Sequence, residues 1–339
     1  MTVRPLRIAC WNVEWFNALF DDTGQPLEDG EPAQRHGVTR AQQLDAIAIV
    51  MLALDADGIM VIEAPDTNGH RHSVTALERF AARHGLRTRR AVTGFRSETE
   101  QEISFLFDPD RLTARHDPQG QPQFDGTWRH DLNGDGIPEP IRPSKPPLEL
   151  ALQTRGQTLR LIGVHVKSKA PHGARTAAEA TRIAIENRRK QLAECLWLRE
   201  RVDLHLTRGD DLIVLGDFND GPGLDEYEAL FGHSGIEVVM GLGCGAACPP
   251  DRALFDPHAE MALKSRLQPT TARFWNPEGQ RYFEALLDFI MVSPGLRARA
   301  PYWRIWHPLN DPKCWAIPEL RDALLTASDH FPVTLDLPL

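Results

Sequence analysis

The chain has 339 residues, of which 42% are hydrophobic and 25% charged, the composition of an ordinary soluble globular protein. This composition excludes a fibrous protein, a coiled coil and wholesale disorder. The formal net charge of −9 means that the field of the whole molecule does not attract nucleic acid, although a local basic patch stays open.

Length and the lack of targeting signals set the expected organisation. The first residues contain no apolar run of signal-peptide length, and no segment reaches the roughly 18 apolar residues of a membrane span. We therefore expect a cytoplasmic monomer with one domain over residues 1–339. Five cysteines are an odd number in so long a chain, so we expect free thiols, including those of Cys244 and Cys248.

The first third predicts strands and helices in alternation. Residues 7–12 form a strand candidate that ends in Asn12, and residues 39–54 repeat apolar positions at helical spacing behind a Thr39 cap. Residues 57–63 then read as a buried strand closed by the carboxylate of Glu63. A second amphipathic helix is predicted over residues 73–85, and a strand starts at Ile103.

A Pro-, Gly- and Asp-rich segment at about residues 115–147 predicts a surface insertion. Inside it, Asp131, Asn133 and Asp135 precede a glycine with the opening spacing of a calcium loop. The twelfth position of that loop is Arg142, where calcium loops carry a bidentate Glu. A solvated turn is therefore the alternative to a Ca²⁺ site.

The middle of the chain predicts a strand pair, a long helix and a further strand. Residues 148–154 and 159–169 are the strand pair, and the second strand delivers His165 and Lys167 at its end. A long helix is expected over residues 176–206. A lone histidine in an apolar strand is usually a satisfied core residue, which is the alternative for His165.

The segment LIVLGDFNDGP, residues 212–222, reads as a buried strand that ends in polar residues. Asp217, Asn219 and Asp220 follow four apolar residues and a glycine. An Asx-type turn is the alternative explanation for these polar residues. We expect mostly loops over residues 232–269.

The last third adds acids and a histidine at strand ends. Asp288 lies within an apolar strand, where an ionised carboxylate requires a partner. Asp329 and His330 stand just before a final strand-like segment. Polar side chains thus recur at six strand ends, which predicts one shared rim. Carboxylate and amide oxygens suit a hard divalent cation, and histidines suit proton transfer and phosphate contact.

Six motifs resemble, in order, those of the endonuclease/exonuclease/phosphatase superfamily, which includes deoxyribonucleases, abasic-site endonucleases, inositol-polyphosphate phosphatases and bacterial sphingomyelinases. They are WNVEW with Asn12, VIEAPD with Glu63, GVHVKSK with His165, LGDFND with Asp217 and Asn219, LLDFI with Asp288, and SDHFPV with Asp329 and His330. The GDFN and SDH elements are the most specific of the set.

The resemblance implies an α/β fold, a four-layer αββα sandwich in which two mostly antiparallel or mixed sheets pack face to face between helices. It implies that Asn12, Glu63 and Asp329 hold one or two Mg²⁺ or Mn²⁺ ions. Asp217 and Asn219 would align water or transfer a proton. His330, oriented by Asp288, would act as base or bind phosphate, and His165 would contact the other phosphate oxygens.

Some positions depart from the family pattern. Ile62 stands where many members carry Gln, and Lys145 stands before the strand where nucleases carry Arg, with Arg142 nearby as a second cation. Glu102 is the local candidate to orient His165. Lys145, Lys167 and Arg142 are the expected substrate-binding residues, within a basic rim that also holds Lys169 and Arg175.

The resemblance favours a divalent-metal-dependent phosphodiester hydrolase of the nuclease type, with DNA or RNA as substrate. A phosphomonoesterase or a lipid-headgroup phosphodiesterase of the sphingomyelinase type is the alternative, and the acidic net charge favours such small or lipidic substrates. A catalytically silent binding module would lack a core residue of the set, and all of them are present.

Overall fold

The structure is a computed structural model that describes residues 4–132, 135–171, 173–222, 232, 234–242, 252–265, 268–276 and 279–339. Its strands form two large sheets and two small ones. One large sheet has six strands and the other has five, and each small sheet is a two-stranded hairpin.

The strands, in chain order, are β1 Leu6–Asn12, β2 Gly58–Ala64, β3 Arg90–Thr93, β4 Glu102–Phe107, β5 Thr113–His116, β6 Trp128–His130, β7 Glu139–Ile141, β8 Leu148–Thr154, β9 Gln157–His165, β10 Leu212–Asp217, β11 Ala272–Asn276, β12 Arg281–Ala285, β13 Asp288–Val292, β14 Tyr302–Ile305 and β15 Val333–Leu337. The α-helices are α1 Arg40–Leu54, α2 Ser73–Arg83, α3 Ala177–Arg208, α4 Gly235–Met240, α5 Pro257–Lys264, α6 Pro294–Arg297, α7 Pro312–Trp315 and α8 Pro318–Ala327, and a 3-10 helix spans Phe16–Leu19.

The six-stranded sheet has the strand order β14-β15-β1-β2-β4-β3, and the five-stranded sheet has the order β13-β10-β9-β8-β5. The hairpins β6-β7 and β11-β12 make up the two small sheets.

Three buried apolar clusters define four layers, which confirms the predicted sandwich. The first cluster joins the six-stranded sheet to α1, α2 and α8, and the third joins the five-stranded sheet to α3, α4 and α5. Between them, the second cluster fills the space between the two sheets. Each sheet therefore buries both faces, which explains the continuous apolar runs of the central strands.

Strand alternation decides which polar residues enter the space between the sheets. In β10, Ile213 and Leu215 belong to the cluster between the sheets, whereas Val214 packs toward the helices. Because side chains alternate with a period of two, Asp217 continues the inner face. The same parity applies to Asn12 in β1, His165 in β9 and Asp288 in β13. Asp217 is also paired in register with His165 on one side and Asp288 on the other.

Glu63 does not follow simple alternation. Its neighbours Ile62 and Ala64 pair with β4, and the register shifts between them. Glu63 itself has a φ of 62°, in the left-handed region. Such a bulge redirects one side chain, and it persists only where the surroundings stabilise it.

Helix predictions agree closely with the structure, with one exception. Thr39 caps α1 in a reciprocal arrangement with Gln42, and Thr176 caps the long helix α3 through the Glu179 amide. The segment at 232–269 was expected to be mostly loops, which is wrong where α4 and α5 form. The sequence did not predict these two helices because each is short and buries only a few residues, which gives a weak apolar periodicity.

The segment at 115–147 contains the small β6-β7 sheet and packs Phe124 and Trp128 against Trp197 of α3. The assignment of the whole chain to one domain stays a prediction. Cys244 and Cys248 lie outside the described residues. Among the helices that the structure describes, none is long and apolar enough to cross a membrane.

Gly216 is required where β10 passes β9. A Cβ atom at this position would lie 2.0 Å from the carbonyl oxygen of Val164, and the φ of 153° also disfavours a side chain.

We expect Gly216→Ala to lower the free energy of unfolding by about 1–3 kcal/mol or more. A Cβ atom added at Gly30 would have no other atom of the described residues within 4 Å, apart from its chain neighbours. Gly30→Ala should therefore change it by less than about 0.5 kcal/mol. Equal urea midpoints for the two variants would contradict this account.

Candidate active site

A cavity of about 710 Å³ opens where β1, β2, β9 and β10 end. It brings together seven of the sequence-predicted residues: Asn12, Glu63, His165, Asp217, Asn219, Asp329 and His330. Lys145, Lys167 and Lys169 line the same cavity. Residues from opposite ends of the sequence thus share one polar pocket.

The carboxylate of Asp217 lies at the centre of this arrangement. Nδ2 of Asn12, which belongs to the other sheet, donates to its Oδ2 at 2.9 Å. The backbone amide of Asn219 donates to its Oδ1 at 2.7 Å, and the Asn219 side chain contacts Oδ2 at 3.2 Å. Burial raises the pKa of Asp217 to about 6, although the His330 charge acts in the opposite direction. Asp217 can therefore exchange a proton near neutral pH.

His330 is held by a buried carboxylate behind the cavity. Its Nδ1 lies 2.8 Å from Oδ2 of Asp288, and its Nε2 lies 4.0 Å from Oδ2 of Asp217. Burial opposes the charged ring, yet the charges of Asp288 and Asp217 raise the pKa of His330 well above its ordinary value. The ring is fixed in orientation with Nε2 directed to the cavity side.

His165 lies on the opposite side of Asp217. Its Nε2 is 3.6 Å from Oδ2 of Asp217 and 3.1 Å from Nζ of Lys145. Burial lowers the pKa of His165 well below its usual value, and Lys145 and His330 add to this effect. The ring is therefore neutral at pH 7, with Lys145 beside it.

The expected role of Glu102 in orienting His165 is wrong. Glu102 begins β4 in the other sheet, where it accepts the backbone amides of Ser97 and Thr67. Among the described residues, Nδ1 of His165 has no hydrogen-bond partner. The carboxylate of Glu102 is held by these two amides and does not orient His165.

A second acidic group, made of Glu63 and Asp329, lines the same cavity. Burial raises the pKa of Glu63, and it raises the pKa of Asp329 to about 7. Oε2 of Glu63 accepts the backbone amide of Trp15 at 2.9 Å. Oδ1 of Asn12 is buried and has no hydrogen-bond partner among the described residues.

This second group fits a divalent cation. The donors are carboxylate and amide oxygens, which hard cations prefer. Burial raises the pKa of both carboxylates more than the nearby positive charges of Lys145, His330 and Arg35 lower it, so further positive charge would stabilise them. The buried Oδ1 of Asn12 is a polar atom that requires a partner. Asn12, Glu63 and Asp329 could therefore hold Mg²⁺ or Mn²⁺.

Another acid and histidine cluster is more compact. Ligand atoms of Asp217, Asp288 and His330 lie within 4.8 Å of one another. In this cluster Nδ1 of His330 already bonds Asp288, and Asp217 already accepts from both Asn12 and Asn219. Hydrogen bonds and charge pairing thus account for these groups without an ion.

The predicted basic residues line two neighbouring sites, the cavity and a groove beside it. Arg142 does not line the cavity with Lys145 and Lys167 but a groove of about 440 Å³ beside it, which shares Ser144 and Lys167 with the cavity. Its guanidinium donates to Thr127. Arg142 was expected beside the substrate phosphate, and the turn before β8 instead brings only Lys145 against His165.

Sequence reasoning did not single out Glu14, which supports the acidic group. Oε2 of Glu14 accepts the backbone amide of Asp329 at 3.2 Å and pairs with Arg35. Ser328 links the same strand ends, because its hydroxyl donates to the carbonyl of Asn12 and accepts the amide of His330. The position of Glu14 two residues after Asn12 was the only available signal.

The predicted calcium loop remains untested as a metal site. Asp131 accepts the backbone amides of Asp135 and Gly136, as in a turn stabilised by an Asp side chain. Asn133 lies outside the described residues.

Comparison with known proteins gives a family match and several solved structures. The family model described as "Endonuclease/Exonuclease/phosphatase family" matches residues 9–330. No curated protein matches the chain. Truncated TDP2 of Caenorhabditis elegans is 13% identical with a TM-score of 0.51, over 98% of both chains. The 3′-5′ exonuclease NExo of Neisseria meningitidis is 15% identical with a TM-score of 0.51, over 98% of this chain and 100% of its own.

A sugar phosphatase has the same fold. The mannosyl-6-phosphatase Bt3783 of Bacteroides thetaiotaomicron is 14% identical with a TM-score of 0.50, over 98% of this chain and 100% of its own. At such identities these structures establish the fold alone.

Removal of the Asp288 charge tests the electrostatics of His330. In Asp288→Asn the pKa of His330 should fall, because one of the two carboxylates that stabilise the imidazolium is neutral. NMR titration of the histidine ring signals in the presence of chelator measures this shift. The His205–Asp210 pair, 2.8 Å apart at the end of α3, is an internal control whose titration should not change. An unchanged His330 titration would contradict the pairing.

Proposed function

The chain belongs to the endonuclease/exonuclease/phosphatase family, and from this premise we propose that it is a divalent-metal-dependent phosphodiester hydrolase that attacks phosphorus with an activated water. The observation that carries the proposal is the position of Asp217 in the cavity. It is bonded to Asn12 and Asn219 and has His165 and His330 within 4.0 Å. A proton acceptor and two phosphate-directed rings therefore face one open space.

Asn12, Glu63 and Asp329 are the proposed ligands of Mg²⁺ or Mn²⁺. A bound divalent cation neutralises charge on the phosphoryl oxygens. Glu14 helps to hold this group, since its carboxylate accepts the amide of Asp329 while Arg35 balances its charge.

Asp217 is the proposed proton acceptor for the attacking water. Its pKa of about 6 lies close to neutral pH, where a general base is most effective. Asn219, which has a left-handed φ of 49°, donates through its backbone amide to Oδ1 and fixes the carboxylate. Because Asn12 also donates to Asp217, the base and the proposed cation site are held together by one side chain.

His330, His165 and Lys145 are the proposed phosphate contacts. The raised pKa of His330 keeps an imidazolium donor beside the phosphoryl oxygens, and its bond to Asp288 fixes the orientation of the ring. Lys145 lies 3.1 Å from Nε2 of His165 and supplies positive charge on the other side. Lys167 lines the same wall and extends the phosphate contacts away from the centre.

A nuclease-type activity is the preferred assignment within this class. Three lysines line the cavity of an otherwise acidic protein, beside its carboxylates, and would supply positive charge to a polyanion bound there. A phosphomonoesterase is the second candidate, and the substrates that the enzyme accepts decide between them.

Chelation and one substitution test the metal dependence. EDTA should abolish activity, and Mg²⁺ or Mn²⁺ should restore it. Mn²⁺ should also raise the melting temperature of the chelated wild type, because a ligand that binds only the folded state stabilises it. Glu63→Gln keeps the acceptor for the Trp15 amide but removes a charged ligand, so this rise should be strongly reduced.

Glu102→Gln is the matched control for that experiment. It makes the same change at a buried acid whose described contacts are with Ser97 and Thr67. The Mn²⁺ effect should persist in this variant. Loss of the effect in both variants, or in neither, would argue against Glu63 as a ligand.

Substitution of the central residues tests the catalytic assignment. Asp217→Asn and His330→Ala should each lower kcat by roughly 10²–10⁴-fold, because each removes a proton-transfer or charge-stabilising group. Activity would be measured with Mg²⁺ or Mn²⁺ on DNA, RNA, a chromogenic diester and a chromogenic monoester, with circular dichroism as the folding check. Turnover like that of the wild type in either variant would refute the assignment. Hydrolysis of monoesters alone would overturn the nuclease preference.

A further inference from the structure

An aromatic hairpin begins directly at the active site. It consists of β11 and β12, with Ala272–Asn276 paired to Arg281–Ala285. Its base is joined to the catalytic segment, since the amide of Arg273 donates to the carbonyl of Asp329 at 2.7 Å and Ala272 forms a bridge with His330. The position of the hairpin is therefore fixed relative to His330.

The two faces of this hairpin differ. On one face, Trp275 and Tyr282 contact each other edge to face, and the guanidinium of Arg273 lies 3.5 Å from the centre of the Tyr282 ring. Arg273 is also paired with Glu284 on the same face. These side chains provide contacts for one another.

The other face carries Phe274 and Phe283, which are opposite each other in register. Directly opposed residues point to the same face of a sheet. Phe274 lines the catalytic cavity and meets the ring of His330 at 5.4 Å between centroids. Phe283 is 59% exposed. An apolar strip therefore leads from the catalytic histidine to the surface.

We propose that Phe274 and Phe283 form a stacking platform for an unpaired nucleobase next to the scissile phosphate, so that single-stranded nucleic acid is the preferred substrate. This inference rests on the proposed function and deepens it. The platform is continuous with the cavity that holds Lys145, Lys167 and Lys169. Aromatic faces beside cationic side chains are the combination that binds single-stranded nucleic acid.

The sequence of the hairpin favours a nucleobase over a lipid surface as the ligand of the two phenylalanines. A hairpin that inserts into a membrane requires an apolar tip, because unsatisfied polar groups are costly in lipid. Here the two strands are joined through residues 276–281, whose sequence NPEGQR includes one basic and one acidic residue and no large apolar one. The exposed rings thus lie on the sides of the hairpin, where a base can stack.

The effect of the platform is measurable as a preference for bases. Stacking of one base on an aromatic side chain changes affinity by roughly 5–150-fold. The test compares kcat/KM on a short thymidine oligonucleotide with kcat/KM on an abasic oligonucleotide of the same length and charge. The wild type should prefer the thymidine oligonucleotide within this range, and it should prefer it to a duplex of the same length.

Phe283→Ala is the test variant, because its exposed side chain can be shortened without a core defect. It should bring the thymidine-to-abasic ratio close to one and leave kcat/KM on the abasic oligonucleotide unchanged. Tyr302→Ala is the matched control, since Tyr302 is 63% exposed and lies on the edge strand β14. The ratio in this variant should equal that of the wild type.

The outcomes separate this inference from the function on which it rests. An unchanged ratio in Phe283→Ala, or a wild type that cleaves both oligonucleotides equally well, overturns the platform and leaves the hydrolase standing. Cleavage of a chromogenic diester but of neither oligonucleotide also overturns the platform alone. Loss of binding to phosphatidylcholine vesicles in Phe283→Ala would assign the strip to lipid instead. No metal-dependent hydrolysis of any phosphoester would remove both proposals.

Discussion

A buried hydrogen bond joins the two halves of the sandwich at the point where the chemistry is proposed to occur. Asn12 ends the central strand β1 of one sheet, and its amide donates to Asp217 at the end of β10 in the other. Both side chains reach this point because the apolar residues before them alternate between the space between the sheets and the helical layers. The geometry of the site therefore depends on the packing of the sheets, and a shift of either sheet would separate the two side chains.

The electrostatic balance of the cavity explains why it divides into two parts. On one side, Asp217 and Asp288 are balanced by His330, with Asn12 and Asn219 as donors. On the other side, burial raises the pKa of Glu63 and Asp329, and Glu14 is paired with Arg35 outside them. Lys145 is itself largely buried and its pKa is lowered by that burial. The acidic side lacks the hydrogen-bonded histidine that the other side has, which is the physical reason to place a divalent cation there.

The sequence predicted the fold and most of the polar residues that meet at the cavity, because strand ends carry information about position. Asn12, His165, Asp217 and Asp288 each stand where an apolar strand ends or begins, and parity determines their face. Glu63 does not follow this alternation, because its orientation depends on a bulge that the local sequence does not indicate. Glu102 was placed wrongly because its position before β4 does not specify what its carboxylate contacts. The substrate-binding role of Arg142, which lines the neighbouring groove, stays a prediction. Short helices α4 and α5 were missed since each buries too few residues to produce a periodic signal.

We propose that the acidic group and the Asp217 group perform different tasks in one cavity. The most direct test is a crystal structure grown with Mn²⁺, with the ion located by its anomalous scattering. The account predicts an ion bound by Glu63 and the free Oδ1 of Asn12, with Asp329 nearby, while Asp217 keeps its hydrogen bonds to Asn12 and Asn219. An ion among Asp217, Asp288 and His330, or a cavity without an ion at saturating Mn²⁺, would contradict it.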